Sequence, residues 1–558
     1  MNPGRWVNGL HFNNLRGDFY GGLTAAVVAL PLALAFGVSS GAGPVAGVYG
    51  AIFVGLFAAL FGGTPTQVSG PTGPMTVVMA AVFTHFTALY PDDPGRGAAL
   101  AFTVVMMGGA FQVLFGVLRL GRYIALIPHP VISGFMSGIG LIIILLQLGP
   151  LLGHETPSGP LAAAHAVPDF LADPVPAAVA LGALSLAVVY LLPSRINRLV
   201  PAPLVALMVG TLALQLFLPD GRAPILGDIP TGLPAPQWPT IELDQLPYMV
   251  KSALMLAALG SIDSLLTSLV ADNMTRTHHR PERELVGQGI GNTAAGLLGG
   301  LPGAGATMRT VVNVRAGGQT PISGGLHALV LLAVVLGAGG MASYIPHAVL
   351  AGILIKVGTD IIDWDYLRRL HRAPFAGVVM MFTVLVLTVF VDLITAVGIG
   401  MIMAALVFMK RMTDLQLESI TAITDPDEEG PLTEEEARLL EAGGGRILLF
   451  HLSGPMSFGA AKGMVRRLAG FDEYDTLVLD LTDVPTIDFT TARAIDDMIS
   501  DAQGSGRAVF VAGIQPRVRQ LLENQDVLQA VPAGHDAETR LEALRRATLP
   551  QGELPTPP

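Results

Sequence analysis

The sequence predicts an α-helical polytopic membrane protein of fourteen transmembrane segments, arranged as two inverted seven-helix repeats, with a small cytosolic α/β domain at its C-terminal end. Three observations predict it. Charged residues are 13% of the 558, against about 25% in ordinary soluble proteins. Residues 18–412 carry successive apolar stretches, each near the ~20 residues that cross a bilayer. Beyond Arg446, short apolar strands alternate with amphipathic helical stretches.

Bulk composition excludes several classes. AVILMFWYC residues make up 51% of the chain and mean hydropathy is +0.58. Gly (66) and Pro (41) are abundant without any collagen-like or linker-like repeat. Both are common in polytopic helices, where neighbours satisfy the freed backbone groups. Cys is absent, which excludes disulfides, thiol catalysis and thiolate metal sites. A formal net charge of −11 argues against nucleic acid as a partner. The opening MNPGRWVNGLHFNNLRGDFYGG is polar and amphipathic and leads straight into membrane, with no cleavable signal pattern. No HExxH, Walker loop or nucleophile elbow occurs, so neither an enzyme nor a cofactor is expected. His278 and His279 fall in a basic loop, where plain solvation is the simpler reading than metal binding.

After a cytosolic segment, 1–17, the predicted spans are 20–40, 44–61, 71–89, 97–117, 129–149, 175–192 and 201–217, then 247–270, 284–299, 305–315, 321–338, 344–361, 375–391 and 393–410. Loop charge tests this order, because cytoplasmic loops carry the excess of Lys and Arg. Arg119 and Arg122 follow the fourth span, Arg195 and Arg198 the sixth, and Arg276, Arg280 and Arg283 the eighth. Arg368, Arg369 and Arg372 follow the twelfth, Lys410 and Arg411 the fourteenth. All lie on one side, whereas loops 150–174 and 218–246 hold one basic residue, Arg222. Both termini are therefore expected in the cytosol, with the protein in the cell's inner (plasma) membrane.

Two spans are broken in a matched way. SGPTGPMTVVMAAV (69–82) and PGAGATMRTVVNV (302–314) are both interrupted by Gly and Pro. Both then read Met, Thr, Val, Val, with Arg309 inserted in the second. Each opens the third span of its set of seven, giving repeats over about 18–217 and 246–412. Interrupted segments at corresponding positions of two halves point to a transporter whose half-helices end near the midplane. A helix N-terminus offers unpaired N–H groups and about +0.5 elementary charge, and Arg309 adds a full charge. A charged arginine at a helix centre costs at least ~2.5–3.5 kcal/mol; beside a cavity and an anion that cost is offset. Arg309 is thus read as neutralising a transported anion. The plainer alternatives are that it snorkels or pairs with a structural acid, and that the glycines are packing sites.

The eighth span, YMVKSALMLAALGSIDSLLTSLVADNMT, holds a second charge, Asp263, with Ser261, Ser264 and Thr267 nearby. Asp263 and Thr267 share a helix face. Facing Gly305, Ala306 and Thr307, they form a plausible oxygen site for a hard cation. Asp263 is equally readable as a proton carrier, as a hydrogen-bonded packing residue, or as the partner of Arg309. A cation on Asp263 raises the local positive charge by one and so favours the anion, which is the linkage that makes symport.

Residues 413–445 form an acidic linker (DPDEEG, LTEEEARLLE, GGG), 446–550 a soluble domain and 551–558 a tail. RILLFHL, DTLVLDL and AVFVAGI read as strands; FGAAKGMVRRLAG, TTARAIDDMISDAQ and PRVRQLLEN read as helices.

LPLALAFGVSSGAGPVAGVYGAIF (30–53), GGLPGAGATMRTVVNVRAGGQTP (299–321) and the loop DLTDVPTIDFTTARAI (480–495) together resemble the SulP (sulfate permease) family of anion transporters, whose members end in a STAS domain. The resemblance covers nearly the whole chain. It implies inverted repeats split into core and gate, an elevator-like movement and a homodimer in lipid. It implies substrate contacts from Phe36, Met75, Thr76, Asp263, Thr307, Arg309 and Thr310. The run SIDSLLTSLVADNMT is similar to the cyanobacterial sodium–bicarbonate branch, which implies Na⁺ on Asp263, Thr267, Gly305, Ala306 and Thr307. Taken whole, the chain looks more like a bacterial proton-coupled fumarate symporter of this family, so H⁺-coupled dicarboxylate symport is the expectation. The alternatives are sodium-coupled bicarbonate symport, an anion channel or exchanger, and a membrane-anchored sensor. Leu32, beside Pro31 where many relatives carry Gln, and Asp263, where most animal relatives carry Glu, argue against sulfate. Thr490 stands where bacterial STAS regulators carry a phosphorylated serine; a helix N-cap is the simpler role for it.

Overall fold

The computed structural model describes residues 7–124, 127–157, 159–197, 200–217, 223–227, 232, 234–391, 393–425 and 432–549. Arg198, Arg222, part of the acidic linker and the C-terminal tail lie outside these residues. The chain divides into two compact units, residues up to Ile402 and residues from Met403 onward.

In the first unit every predicted span falls on a helix. The first repeat gives α1 (Leu15–Ser39), α2 (Pro44–Phe61), α3 (Gly73–Leu89), α4 (Pro94–Val117), α5 (His129–Leu152), α6 (Pro176–Leu191) and α7 (Ala202–Phe217). The second gives α8 (Leu246–Thr275), α9 (Pro281–Leu297), α10 (Thr307–Arg315), α11 (Pro321–Ala342), α12 (His347–Ile361), α13 (Phe375–Phe390) and α14 (Leu393–Glu418). Proline in the first turn opens many of them, where its missing N–H removes a donor that is unpaired anyway. Among the described residues, α1, α2, α4, α5, α8 and α14 from Thr395 are long and apolar enough to cross a membrane alone. α3 and α10, with 17 and 9 residues, are too short for that, as half-helices should be. A further helix, Pro160–Ala172, is bent by 115° against α6.

Packing sorts these helices into two groups. α9 lies against α2 and α4, α11 against α1 and α2, and α8 against α4. Separately, α12 lies against α5 and α6, α13 against α5, and α7 against α6. The first group takes helices one to four of both repeats and the second takes the rest. This grouping matches the core-and-gate division that the family resemblance implies.

The first unit also holds two two-residue strands, β1 (Ser69–Gly70) and β2 (Ala304–Gly305), and the second unit is built on a five-stranded sheet whose strands lie side by side in chain order. Its strands are β3 (Ile420–Ile423), β4 (Ile447–Ser453), β5 (Thr476–Asp483), β6 (Ala508–Ala512) and β7 (Asp536–Ala537). β3 runs antiparallel to β4 and the other pairings are parallel. Helices Phe458–Leu468, Phe489–Gly504 and Pro516–Asn524 follow β4, β5 and β6, as the alternation predicts. The linker departs from expectation. Ile420 and Ile423 are buried in the sheet, and Glu434–Ala442 is a helix closed by a Thr433–Glu436 capping box. Four strand residues between acidic runs leave too short an apolar pattern to read. Thr490 is not the N-cap either: Asp488 caps that helix by accepting from Thr491 N, and Thr490 is exposed.

Candidate anion and cation site

Two two-residue strands bring the half-helices together. β1 (Ser69–Gly70) pairs antiparallel with β2 (Ala304–Gly305), Ser69 opposite Gly305 and Gly70 opposite Ala304. β1 leads into α3 and β2 into α10. The approach is close enough to demand glycine: a Cβ on Gly303 would lie 2.4 Å from Gly70 C and O. Neither half-helix has a side-chain cap at its N-terminus, so the first-turn N–H groups keep their partial positive charge.

Arg309 is 1% exposed. Its Nη2 donates to Pro71 O at 3.0 Å, while Nε and Nη1 have no partner. Among the described residues it forms no ion pair. That disposes of the snorkelling reading and of the paired reading, including a pair with Asp263. An unpaired buried guanidinium with free donors, against two uncapped helix ends, is chemistry for an anion.

Part of the predicted cation set is brought together: Thr267, Gly305 and Thr307 touch, whereas Ala306 bonds to Val68 and Asp263 lies beside Thr72. Thr267 Oγ1 donates to Gly305 O at 2.9 Å and lies 2.7 Å from Thr307 Oγ1. Ser264 Oγ accepts from Gly305 N at 3.0 Å. Ala306 N donates to Val68 O at 2.9 Å. Asp263, one turn before Thr267 on α8, is part-buried next to Thr72 at the start of α3. Met75 is buried against Gly260 of α8, and Phe36 is buried on α1. The hydroxyls of two predicted substrate contacts are engaged with backbone instead. Thr310 Oγ1 accepts from Val68 N at 3.1 Å, and Thr76 Oγ1 donates to Thr72 O at 2.8 Å. They hold the two helix starts, and the backbone N–H of each is also engaged, Thr76 N with Thr72 O and Thr310 N with Ala306 O, both at 2.9 Å.

Behind the strands lies a polar layer absent from the expectations. Glu284, Gln288 and Asn292 repeat every four residues along one face of α9 and are all buried. Glu284 Oε2 accepts from Gly63 N (2.8 Å) and Thr64 N (2.9 Å), and its Oε1 accepts from Gln67 and Gln288 (both 2.8 Å). Gln288 Nε2 also donates to Ser69 Oγ at 2.6 Å. Asn292 pairs with the backbone of Gly303, donating to its O at 2.9 Å and accepting from its N at 2.7 Å. Four N–H donors on one carboxyl mark it as an anion. Its signal in the sequence was the spacing of three polar residues in an apolar stretch.

A cavity of about 1090 Å³ is lined by Ser39, Val77, Ala81, Gln147, His347 and residues 153–157 and 159–162 among others. It is bordered by residues of α1, α3, α5 and α12 and by the end of the molecule whose loops lack basic residues.

Comparison with known proteins agrees. The sulfate permease family model matches residues 15–384 and the STAS domain model residues 442–538. The bicarbonate transporter BicA of Synechocystis sp. is 49% identical over 547 residues, 98% of this chain and 96% of that protein. BicA of Picosynechococcus sp. is 47% identical over 546 residues, 97% and 96% of the two chains. The solved transmembrane domain of a cyanobacterial bicarbonate transporter BicA superposes with TM-score 0.67 at 53% identity, covering 70% of this chain and all of that one. Murine Slc26a9, an anion transporter, shares the fold at 17% identity, with TM-score 0.81 over 98% and 93% of the chains. These relatives correct the fumarate likeness in favour of the bicarbonate branch. The chain belongs to the sulfate permease family: it is a helical membrane transporter, not an enzyme, and it carries a C-terminal STAS domain.

Proposed function

We propose that the protein is a sodium-coupled bicarbonate symporter. The observation that carries this is the Thr267 hydroxyl joined to both the Gly305 carbonyl and the Thr307 hydroxyl, on the Asp263 face of α8. These are hard oxygens of the kind Na⁺ takes, and a proton on Asp263 would need none of them. Charge supports a monoanion. Arg309 and the two helix ends supply roughly two positive charges; Asp263 and Glu284 offset them. One bound cation then leaves about one positive charge, which suits bicarbonate better than a dianion. The similarity to proteins named as bicarbonate transporters points the same way. The core group moves against the gate group as an elevator, in a homodimer with both termini in the cytosol, and the 1090 Å³ cavity is the outer vestibule.

Uptake into proteoliposomes tests the reading. Labelled bicarbonate should accumulate above equilibrium with an inward sodium gradient, and not with a proton gradient in sodium-free buffer. Arg309→Ala and Asp263→Asn should both abolish it. Fumarate accumulation driven by protons without sodium would overturn the proposal and restore dicarboxylate symport.

A further inference from the structure

The segment between α7 and α8 presents its side chains the wrong way round for water. Trp238, Ile241 and Leu243 are 77%, 58% and 82% exposed, whereas the Glu242 side chain, between the last two, is only 18% exposed. The Glu242 carboxylate is turned inward, accepting from Arg96 Nε at 2.7 Å and from the Tyr90 hydroxyl. The Arg96 guanidinium in turn lies over the Tyr90 ring, 4.5 Å from its centroid. A solvated loop does the opposite, turning its acids out and its apolar side chains in. Single exposed apolar residues are ordinary, but three large ones so close together form a patch.

The backbone is arranged for the same surroundings. In lipid every N–H needs a partner inside the protein. Pro234, Pro236 and Pro239 have no N–H to satisfy. Gln237 N donates to Leu297 O at 2.6 Å, and Thr240 N donates to Thr103 Oγ1 at 2.9 Å. These two anchors also give the depth. α9 ends at Leu297, and a Cβ on Gly296 would lie 2.8 Å from Phe102 O and from Met106 N, so both anchors stand level with the same turn of α4. α4 ends at Val117, ahead of the basic residues Arg119 and Arg122. Counting ~30 Å of hydrocarbon back from there at ~1.5 Å per residue places the opposite boundary near Gly97. Thr103 then lies ~9 Å inside it, within the roughly 5–10 Å to which interfacial apolar faces sink. By Glu242 the chain has climbed back to Arg96 in the first turn of α4, and the exposed Asp244 follows. α8 continues the outward face: Pro247, Lys251, Leu254 and Ala258 form an exposed stripe at helical spacing. Its one charge, Lys251, sits near the start of the helix, where a lysine stem lies on apolar surface and its ammonium reaches the headgroups.

We infer that residues 237–243 are a lipid-docking surface: Trp238, Ile241 and Leu243 lie in the headgroup–acyl boundary of one leaflet, at the end of the molecule whose loops lack basic residues. Tryptophan is suited to that boundary because its ring is apolar and its N–H is polar. The partner is the bilayer, because water or a protein surface would let an acid face outward and would not call for a backbone so short of free donors. The anchors of the patch are on α4, on α9 and at the end of α3, helices of the first packing group, so that group carries it.

Tryptophan fluorescence tests this on the full chain. Of the three tryptophans, Trp6, Trp238 and Trp364, Trp238 is isolated by Trp6→Phe with Trp364→Phe. The protein is reconstituted in phosphatidylcholine vesicles whose acyl chains are unbrominated, brominated near the headgroup end, or brominated near the methyl end. Shallow bromines should cut Trp238 emission about twofold, deep bromines should cut it less, and aqueous iodide should have little effect. Quenching by iodide with none from brominated lipid would overturn the inference, because the patch would then face water. Quenching by neither would overturn it as well, because a second copy or another protein would then cover the patch. Deep bromines as effective as shallow ones would overturn the interfacial placement. Should the double variant fail to reconstitute, the difference between wild type and Trp238→Phe reports the same residue and is decided by the same outcomes.

Discussion

Replacing Glu284 with glutamine tests what holds the two half-helices in place. The carboxylate accepts four hydrogen bonds, from Gly63 N, Thr64 N, Gln67 Nε2 and Gln288 Nε2. A glutamine amide can present its oxygen to one pair of these donors only, and then its NH₂ opposes the other pair. Reorienting the partners does not rescue it. Gln67 Oε1 accepts from Ser268 at 3.0 Å and Gln288 Nε2 donates to Ser69 at 2.6 Å, so a flipped amide loses a bond elsewhere. Two buried donors left unsatisfied cost about 1–3 kcal/mol each. Relief from burying a charge works in the opposite direction and offsets part of this loss. The net expectation is a loss of about 2–5 kcal/mol. Thermal unfolding in detergent should show it as a midpoint lowered by several degrees, since about 2–4 °C per kcal/mol applies at 150–250 residues and less in a larger unit. Glu282→Gln, two residues away and only part-buried, is the control and should stay within about 0.5 kcal/mol. Sodium-driven uptake should fall with the midpoint. An unchanged midpoint together with full uptake in Glu284→Gln would refute the reasoning, because the four donors would then have no need of a carboxylate.

Two further outcomes follow from the geometry. Gly303→Ala places a Cβ 2.4 Å from the Gly70 backbone, which cannot yield, so the β1–β2 pair should separate and uptake should be lost; wild-type uptake would show that the strand pair is dispensable. In the C-terminal unit, burial pushes the Asp480 carboxyl up, but hydrogen bonds from His451 and Thr482 outweigh it and hold it below the usual carboxylate range; Glu436 is likewise held low by Arg540 and Thr433. A depressed folded value means stability that is complete above the unfolded value, about 4 for these groups, and lost as pH falls through the folded one. Urea midpoints of this unit should therefore drop below about pH 4, and Asp480→Asn should flatten that drop; an unaltered pH profile would count against it.

How much of this was legible follows from where each signal lies along the chain. The half-helices were readable because Gly and Pro interrupt an apolar run locally, and Arg309 and Asp263 because a charge among apolar residues stands out. Glu284 was not. Glu284 sits at the start of a span behind a basic loop, where an acid is unremarkable, and its partners Gly63 and Gln67 are 221 and 217 residues away. Yet Glu284 and its neighbours on α9 answer a problem that the legible parts create. Two helix N-termini and an arginine, all positive, are brought together by four strand residues, and they repel. Something must hold them until an anion arrives. Glu284 grips the turn before β1 and, through Gln288, Ser69 itself, while Asn292 grips the residue before β2. All three project from one face of α9. The anion site is therefore positive at its surface and braced from behind by a fixed negative charge. That bracing lets the site stand assembled without substrate, so that under the proposed function sodium on Asp263 would change its charge rather than its shape.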